Sequence, residues 1–179
     1  MKTFFLISLP LLMMSCGVPT QKPIATNPTK ATSGEMILLG KINRANLQTD
    51  ALTSWFNREY EMIQVEPQWG SDLQDHLEGL EIKVFMGTWC EDSQREIPHF
   101  FKLLDALDFD QRQLEMYAMS EEKTTPQNFE KDLEIHHVPT ILFFKNGEEI
   151  NRFVELPVSS LATDIAKIIK GETYRHAYE

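Results

Sequence analysis

Gly87-Thr88-Trp89-Cys90-Glu91-Asp92-Ser93 follows the compact run Ile82-Lys83-Val84-Phe85-Met86 and opens a stretch, 91–107, in which Ile97, Phe100, Phe101, Leu104 and Leu107 recur at helical spacing. A short apolar run bounded by glycine reads as a strand, and one apolar stripe reads as an amphipathic helix. The segment is therefore a strand that enters a helix through a cysteine. Working outward, 114–119 reads as a strand and 126–135 as a helix with Pro126 near its first position. The runs 141–144 and 149–155 flank Asn146-Gly147, a strong hairpin signal. An amphipathic helix over 159–170 follows, with Leu161, Ile165, Ile168 and Ile169 on its apolar face. Upstream, 36–42 is a candidate strand, and Leu52, Trp55, Phe56 and Tyr60 place a helix over 50–60. Ser71 is read as the N-cap of a short helix ending at Gly79. This order specifies an α/β fold with a central mixed sheet, one parallel crossover, an antiparallel edge and helices on both faces.

The chain has 179 residues, 42% of them hydrophobic, which suits one domain of about 100–150 residues with an appendage. Its formal charge of −10 lacks the clustered Lys and Arg that neutralise phosphates, so no nucleic-acid partner is expected. Two cysteines exclude a disulfide scaffold and a four-cysteine metal site.

Residues 1–15 carry Lys2 and an apolar run too short to cross a bilayer, which is the pattern of an export signal. Cys16 lies directly after it between Ser15 and Gly17. This resembles a bacterial lipoprotein signal, in which that cysteine is lipidated; Met13 stands where such signals commonly have leucine. The resemblance implies a membrane anchor, placing the protein in the bacterial cell envelope and facing the periplasm. An ordinary secretory signal is the alternative. Pro19, Pro23 and Pro28 with few large apolar side chains give 16–34 the composition of a disordered tether, with a reach of roughly 25 Å. The remaining divisions are an extension at 35–79, a core at 80–172 and a tail at 173–179.

Cys90 is the residue to which the sequence assigns chemistry. A cysteine at the first turn of a helix faces unpaired backbone N–H groups and the positive end of the dipole, which favour its thiolate. Trp89 is placed to shield the sulfur, and Pro98 to bend the helix where its N–H is missing. Glu91 and Asp92 complement the dipole but oppose a thiolate beside them. Ser93 is either a cap or a donor to the sulfur. His136 and His137 could join Cys90 as soft-metal ligands, but one thiol without a spaced second cysteine is a weak set, so no metal and no cofactor are assigned.

Two motifs carry a family resemblance. Residues 87–93 with Pro98 resemble the active-site segment of the thioredoxin family. Val138-Pro139-Thr140, followed by Ile141-Leu142-Phe143-Phe144-Lys145-Asn146-Gly147-Glu148, resembles that family's cis-proline loop, strand and hairpin. The resemblance covers roughly 80–170 and implies the thioredoxin fold, a cis Pro139 facing Cys90, and a Val138 backbone that pairs with an extended substrate. The departures are informative. The family's motif is C-x-x-C, whose second cysteine resolves the mixed disulfide, and Ser93 stands in its place. Val84 stands where many relatives carry a buried aspartate.

The resemblance thus implies a membrane-anchored protein with a single nucleophilic thiol, a thiol-disulfide oxidoreductase or isomerase. Its partners would be proteins or small molecules bearing disulfides, with an external thiol as resolving reductant. Two alternatives stand beside it: a redox-inactive binding or chaperone module of the same fold, and a copper or zinc carrier.

Overall fold

The computed structural model describes residues 21–26, 28–49 and 51–179. The expected signal segment and Cys16 lie outside the described residues. Five strands form the central sheet: β3 (Gly40–Ile42), β4 (Leu80–Met86), β5 (Leu114–Ala118), β6 (Thr140–Lys145) and β7 (Glu148–Val154), in the order β3-β5-β4-β6-β7. The β4–β5 pair is parallel, and the other three pairs are antiparallel. Asn146 (φ 54) and Gly147 (φ 80) turn β6 into β7, both in the left-handed region that an Asn-Gly hairpin turn requires.

The helices are α1 (Arg44–Thr49), α2 (Trp55–Met62), α3 (Pro67–Ser71), α4 (Glu91–Ala106) and α5 (Leu161–Lys170). The stripe read from the sequence buries Ile97, Phe100, Phe101 and Leu104 of α4 against Ile82, Val84 and Met86 of β4 and Phe143 of β6. Helix α5 adds Leu161, Ile165, Ile168 and Ile169 to the same core. Its ends are fixed locally: Ser160 Oγ accepts from Thr163 N at 3.2 Å, and Gly171 closes it at φ 68. The carboxylate of Asp164, 1% exposed, accepts from Val158 N at 2.6 Å and from Ser159 N.

The mixed sheet is as the sequence specifies, but among the described residues the helices do not lie on both faces. Leu47 of α1 and Trp55 and Phe56 of α2 belong to the same core as α4 and α5. The opposite face presents Phe85, Tyr117 and Leu142, and what covers it is the segment after β5, with Ile135 and Val138. That segment includes 126–135, read above as a helix. It is instead a chain of turns, because Asn128 (φ 56), Asp132 (φ 64) and Glu134 (φ 53) are left-handed and interrupt any helical ladder. Short-range bonds replace the ladder, from Asn128 N to Thr125 O, Lys131 N to Asn128 O and Leu133 N to Glu130 O. Thr125, 5% exposed, ties them together: its Oγ1 donates to Glu130 Oε2 and accepts from Phe129 N at 2.9 Å.

Three upstream readings also differ. The strand expected over 36–42 is two pieces, β2 (Met36–Ile37) and β3, separated by Leu38 and Leu39. Ser71 ends α3 rather than capping a helix, with its Oγ donating to Gln68 O at 2.8 Å, and only a 3-10 turn, Gln74–His76, follows. The part of the expected tether that is described lies against the domain. β1 (Thr29–Lys30) pairs with β2, and Ile24 exchanges two bonds with the buried Asn46 side chain, at 3.1 and 2.8 Å. Composition weighs apolar burial and is blind to such polar pairing.

Candidate functional site

Strand β4 ends at the site and α4 begins there. Gly87 turns the chain and Cys90, the N-cap of α4, has extended backbone (φ −88, ψ 122), with no side-chain hydrogen bond to the helix's first turn. Its carbonyl accepts from Gln94 N at 2.9 Å, and its N–H donates to Gly87 O at 3.1 Å. The thiol, 8% exposed, donates to the carbonyl oxygen of Val138 at 3.1 Å. The Val138–Pro139 peptide bond is cis, and the two segments that the sequence singled out meet at this contact.

Trp89 closes one side. Its ring passes over Gly87, where an added Cβ would lie 2.6 Å from ring atom Cε2, so a larger residue fits there only if the indole shifts. The indole N–H donates to Met119 O at 3.0 Å, which fixes the ring across the ends of β4 and β5. Lys123 Nζ lies 5.4 Å from the ring centroid. On the other side, Glu155 N donates to Pro139 O at 2.7 Å and clamps the proline loop to the end of β7.

Over 95 residues, 53% of its length, the chain is 30% identical to thioredoxin-like protein R548 of Acanthamoeba polyphaga mimivirus. The match spans 66% of that relative, just short of two thirds of its length. The fold is thioredoxin-like. Among solved structures, a protein of unknown function from Pseudomonas aeruginosa aligns with a TM-score of 0.53 at 16% identity, covering 74% of this chain and 93% of that one. An HIV epitope scaffold aligns with a TM-score of 0.52 at 16% identity, covering 75% and 94%. Such identities speak for the fold alone. No family model matches the chain.

Within this thioredoxin-like frame, Ser93 is fully buried, and its Oγ accepts from Gly87 N at 3.1 Å. It thus ties the first turn of α4 back to the end of β4. Val84 is apolar core, 0% exposed. Glu91 is exposed, while Asp92 accepts from Arg95 at 2.7 Å. Burial opposes the charge on Arg95, but its hydrogen bonds to Glu96 and Asp92 outweigh that and raise its pKa. Asp92 is therefore paired with a cation of its own helix, which it shares with Glu96. Tyr117, under the site, has its pKa raised by burial and by the neighbouring Glu115 carboxylate.

His137 Nδ1 lies 3.2 Å from Glu155 Oε2, and His136 is exposed. Among the described residues, no three of His, Cys, Asp and Glu come together as a metal site, so nothing here favours the carrier reading. Several functional neighbours escaped the sequence reading. Thr88 Oγ1 accepts from Leu38 N at 3.2 Å and Thr88 O accepts from Gln94 Nε2 at 2.8 Å, which joins the extension to the cysteine loop. The placing of Glu155 (φ 58) and of the tail beside the proline loop likewise left no sign in the sequence. Gly87 before a tryptophan was the one visible signal, since a glycine beside a large ring invites close approach.

Proposed function

We propose that this protein exchanges disulfides through Cys90 acting as a single thiol. The observation that carries this reading is the Cys90 Sγ–Val138 O contact across the proline loop at the start of α4. A client backbone N–H that bonds to Val138 O displaces the S–H donor. The sulfur is then left to the N–H groups of the first turn, which favour its thiolate. That thiolate attacks one sulfur of the client disulfide, forming a Cys90–client bond and releasing the other sulfur as a thiolate. A different client cysteine then attacks the mixed disulfide and frees Cys90, so the client is rearranged with no net oxidation. Alternatively, two molecules of an external thiol resolve it; they leave as a disulfide, and the client is reduced by two electrons. Ser93 cannot resolve the intermediate, which makes the second thiol obligatory.

Rapid acid quench of cells, followed by non-reducing electrophoresis, is expected to reveal disulfide-linked adducts that disappear in Cys90→Ala. Adducts that survive the substitution, or none in the wild type, would overturn the mechanism. We also place the protein on the envelope membrane through lipid on Cys16, facing the periplasm. Cys16→Ala is then expected to lose fatty-acid label and to leave the membrane fraction, and a variant that keeps both would refute the anchor.

A further inference from the structure

After α5, Gly171 turns the chain back across the sheet. Tyr174 is buried there, 8% exposed, and its carbonyl accepts from Asn151 Nδ2 at 3.2 Å on β7. Beyond that anchor the segment is mostly exposed, yet its Tyr178 is seated with definite geometry. The Tyr178 ring stacks on the imidazole of His137, with centroids 3.8 Å apart and planes 18° from parallel. Its hydroxyl bonds to Glu155 Oε2, the oxygen that also faces His137 Nδ1. Both partners belong to the cysteine site: His137 immediately precedes Val138, and Glu155 is clamped to Pro139. The tail forms one wall of a cleft of about 620 Å³ whose other wall includes His136, His137 and Arg152.

We propose that Tyr178 is a specificity-determining residue that discriminates between small and extended disulfides at Cys90. This inference rests on the thiol-exchange reading. A client strand that pairs with the Val138 backbone continues over His137, since pairing advances residue by residue along an extended partner. One face of the His137 ring is covered by the Tyr178 ring, and a strand that lies on this face has to displace it. A small disulfide needs only the sulfur and the Val138 carbonyl and passes beside the ring, whereas a peptide must first displace it. Tyr178 stands on an exposed arm and is held to the domain by His137 and Glu155, so displacement needs no unfolding of the domain.

The test uses the full chain and two mixed disulfides with the same chromogenic leaving group, nitrothiobenzoate. One is joined to mercaptoethanol and the other to the central cysteine of an extended peptide. In both, Cys90 forms the new disulfide and nitrothiobenzoate leaves as the coloured thiolate. If the arm leaves the groove open about 10–30% of the time, Tyr178→Ala accelerates the peptide reaction about three- to tenfold and leaves the mercaptoethanol reaction unchanged. Tyr178 is 49% exposed, and an unchanged melting temperature verifies that the variant is folded. Reaction with both probes and an unaltered ratio would overturn the gate alone, as would a slower peptide reaction in the variant. Silence of the wild type towards both would overturn thiol exchange, and the gate with it.

Discussion

The two faces of the sheet are covered by different means. On one, α1, α2, α4 and α5 interlock through Leu47, Phe56, Phe100, Phe101, Leu104 and Ile165 in a single apolar core. On the other, Phe85, Tyr117 and Leu142 lie under a chain of turns, and Cys90 is the residue at a helix start that joins them. The first face is apolar packing, worth roughly 1.5–3 kcal/mol for each large side chain buried. The second has a smaller apolar cluster around Phe85, Tyr117, Met119 and Leu142, and its cover of turns is tied by directed bonds of about 0.5–1.5 kcal/mol each, such as those around Thr125 and Glu130. The difference teaches where the cysteine can be put: the packed face supplies rigidity, and the turn-covered face holds the Cys90 sulfur beside the carbonyl of Val138.

The same substitution on both faces is the strongest way to break this contrast. Leu104 and Leu142 are 1% and 0% exposed, so truncation exposes no difference in burial. Leu104→Ala is expected to lose about 4–5 kcal/mol, because locked helices cannot close the cavity. Leu142→Ala is expected to lose about 2–3 kcal/mol, because turns can settle into it. Equal losses in urea unfolding would mean that both faces are packed alike.

Two glycines sharpen the contrast at smaller amplitude. An added Cβ on Gly70 would lie 2.3 Å from the backbone oxygen of Ala106, at the junction of α3 with the end of α4. Backbone cannot swing aside, so Gly70→Ala is expected to destabilise by about 1–3 kcal/mol with the alkylation rate of Cys90 unchanged. Gly87→Ala meets the Trp89 ring instead, which can move, at the loss of its bond to Met119 O. We expect about 1 kcal/mol and faster alkylation of Cys90 by iodoacetamide, with a shift in tryptophan emission. An unaltered alkylation rate would show that Trp89 does not shield the sulfur.

The packed face was the legible one. Periodicity and the Asn-Gly turn placed β4, α4, the hairpin and α5 close to their observed limits, because each signal is local. The bonded face was legible only at Cys90, Val138 and Pro139. Over 126–135 a proline near the first position suggested a helix, and the left-handed conformations of Asn128, Asp132 and Glu134 won. Only Asn128 and Asp132 belong to types that favour that conformation, so Glu134 gave no warning. Glu155 and Tyr178 bond across 23 residues of sequence, and a single long-range pair leaves no periodic trace.

The smallest expected effect separates the faces by their response to acid and salt. Lys41 on β3 bonds to Glu115 on β5 at 2.7 Å, and the side chains are 45% and 40% exposed. The hydrogen bond from Lys41 is the main cause that lowers the Glu115 pKa, against the opposing effect of burial. A carboxylate whose folded pKa lies below its unfolded one stabilises the fold fully above the unfolded value of about 4.3, and that contribution is lost as pH falls through the folded value. With both groups largely in water, the pair is worth about 0.2–1 kcal/mol, less at high salt. Glu115→Gln should therefore lose this much at neutral pH in dilute buffer and nothing once the pH is well below the folded pKa, whereas the Leu104→Ala loss should persist under both conditions. A Glu115→Gln deficit that survives acid or molar salt would mean that the Glu115 side chain stabilises the sheet by packing its methylene groups rather than by its charge.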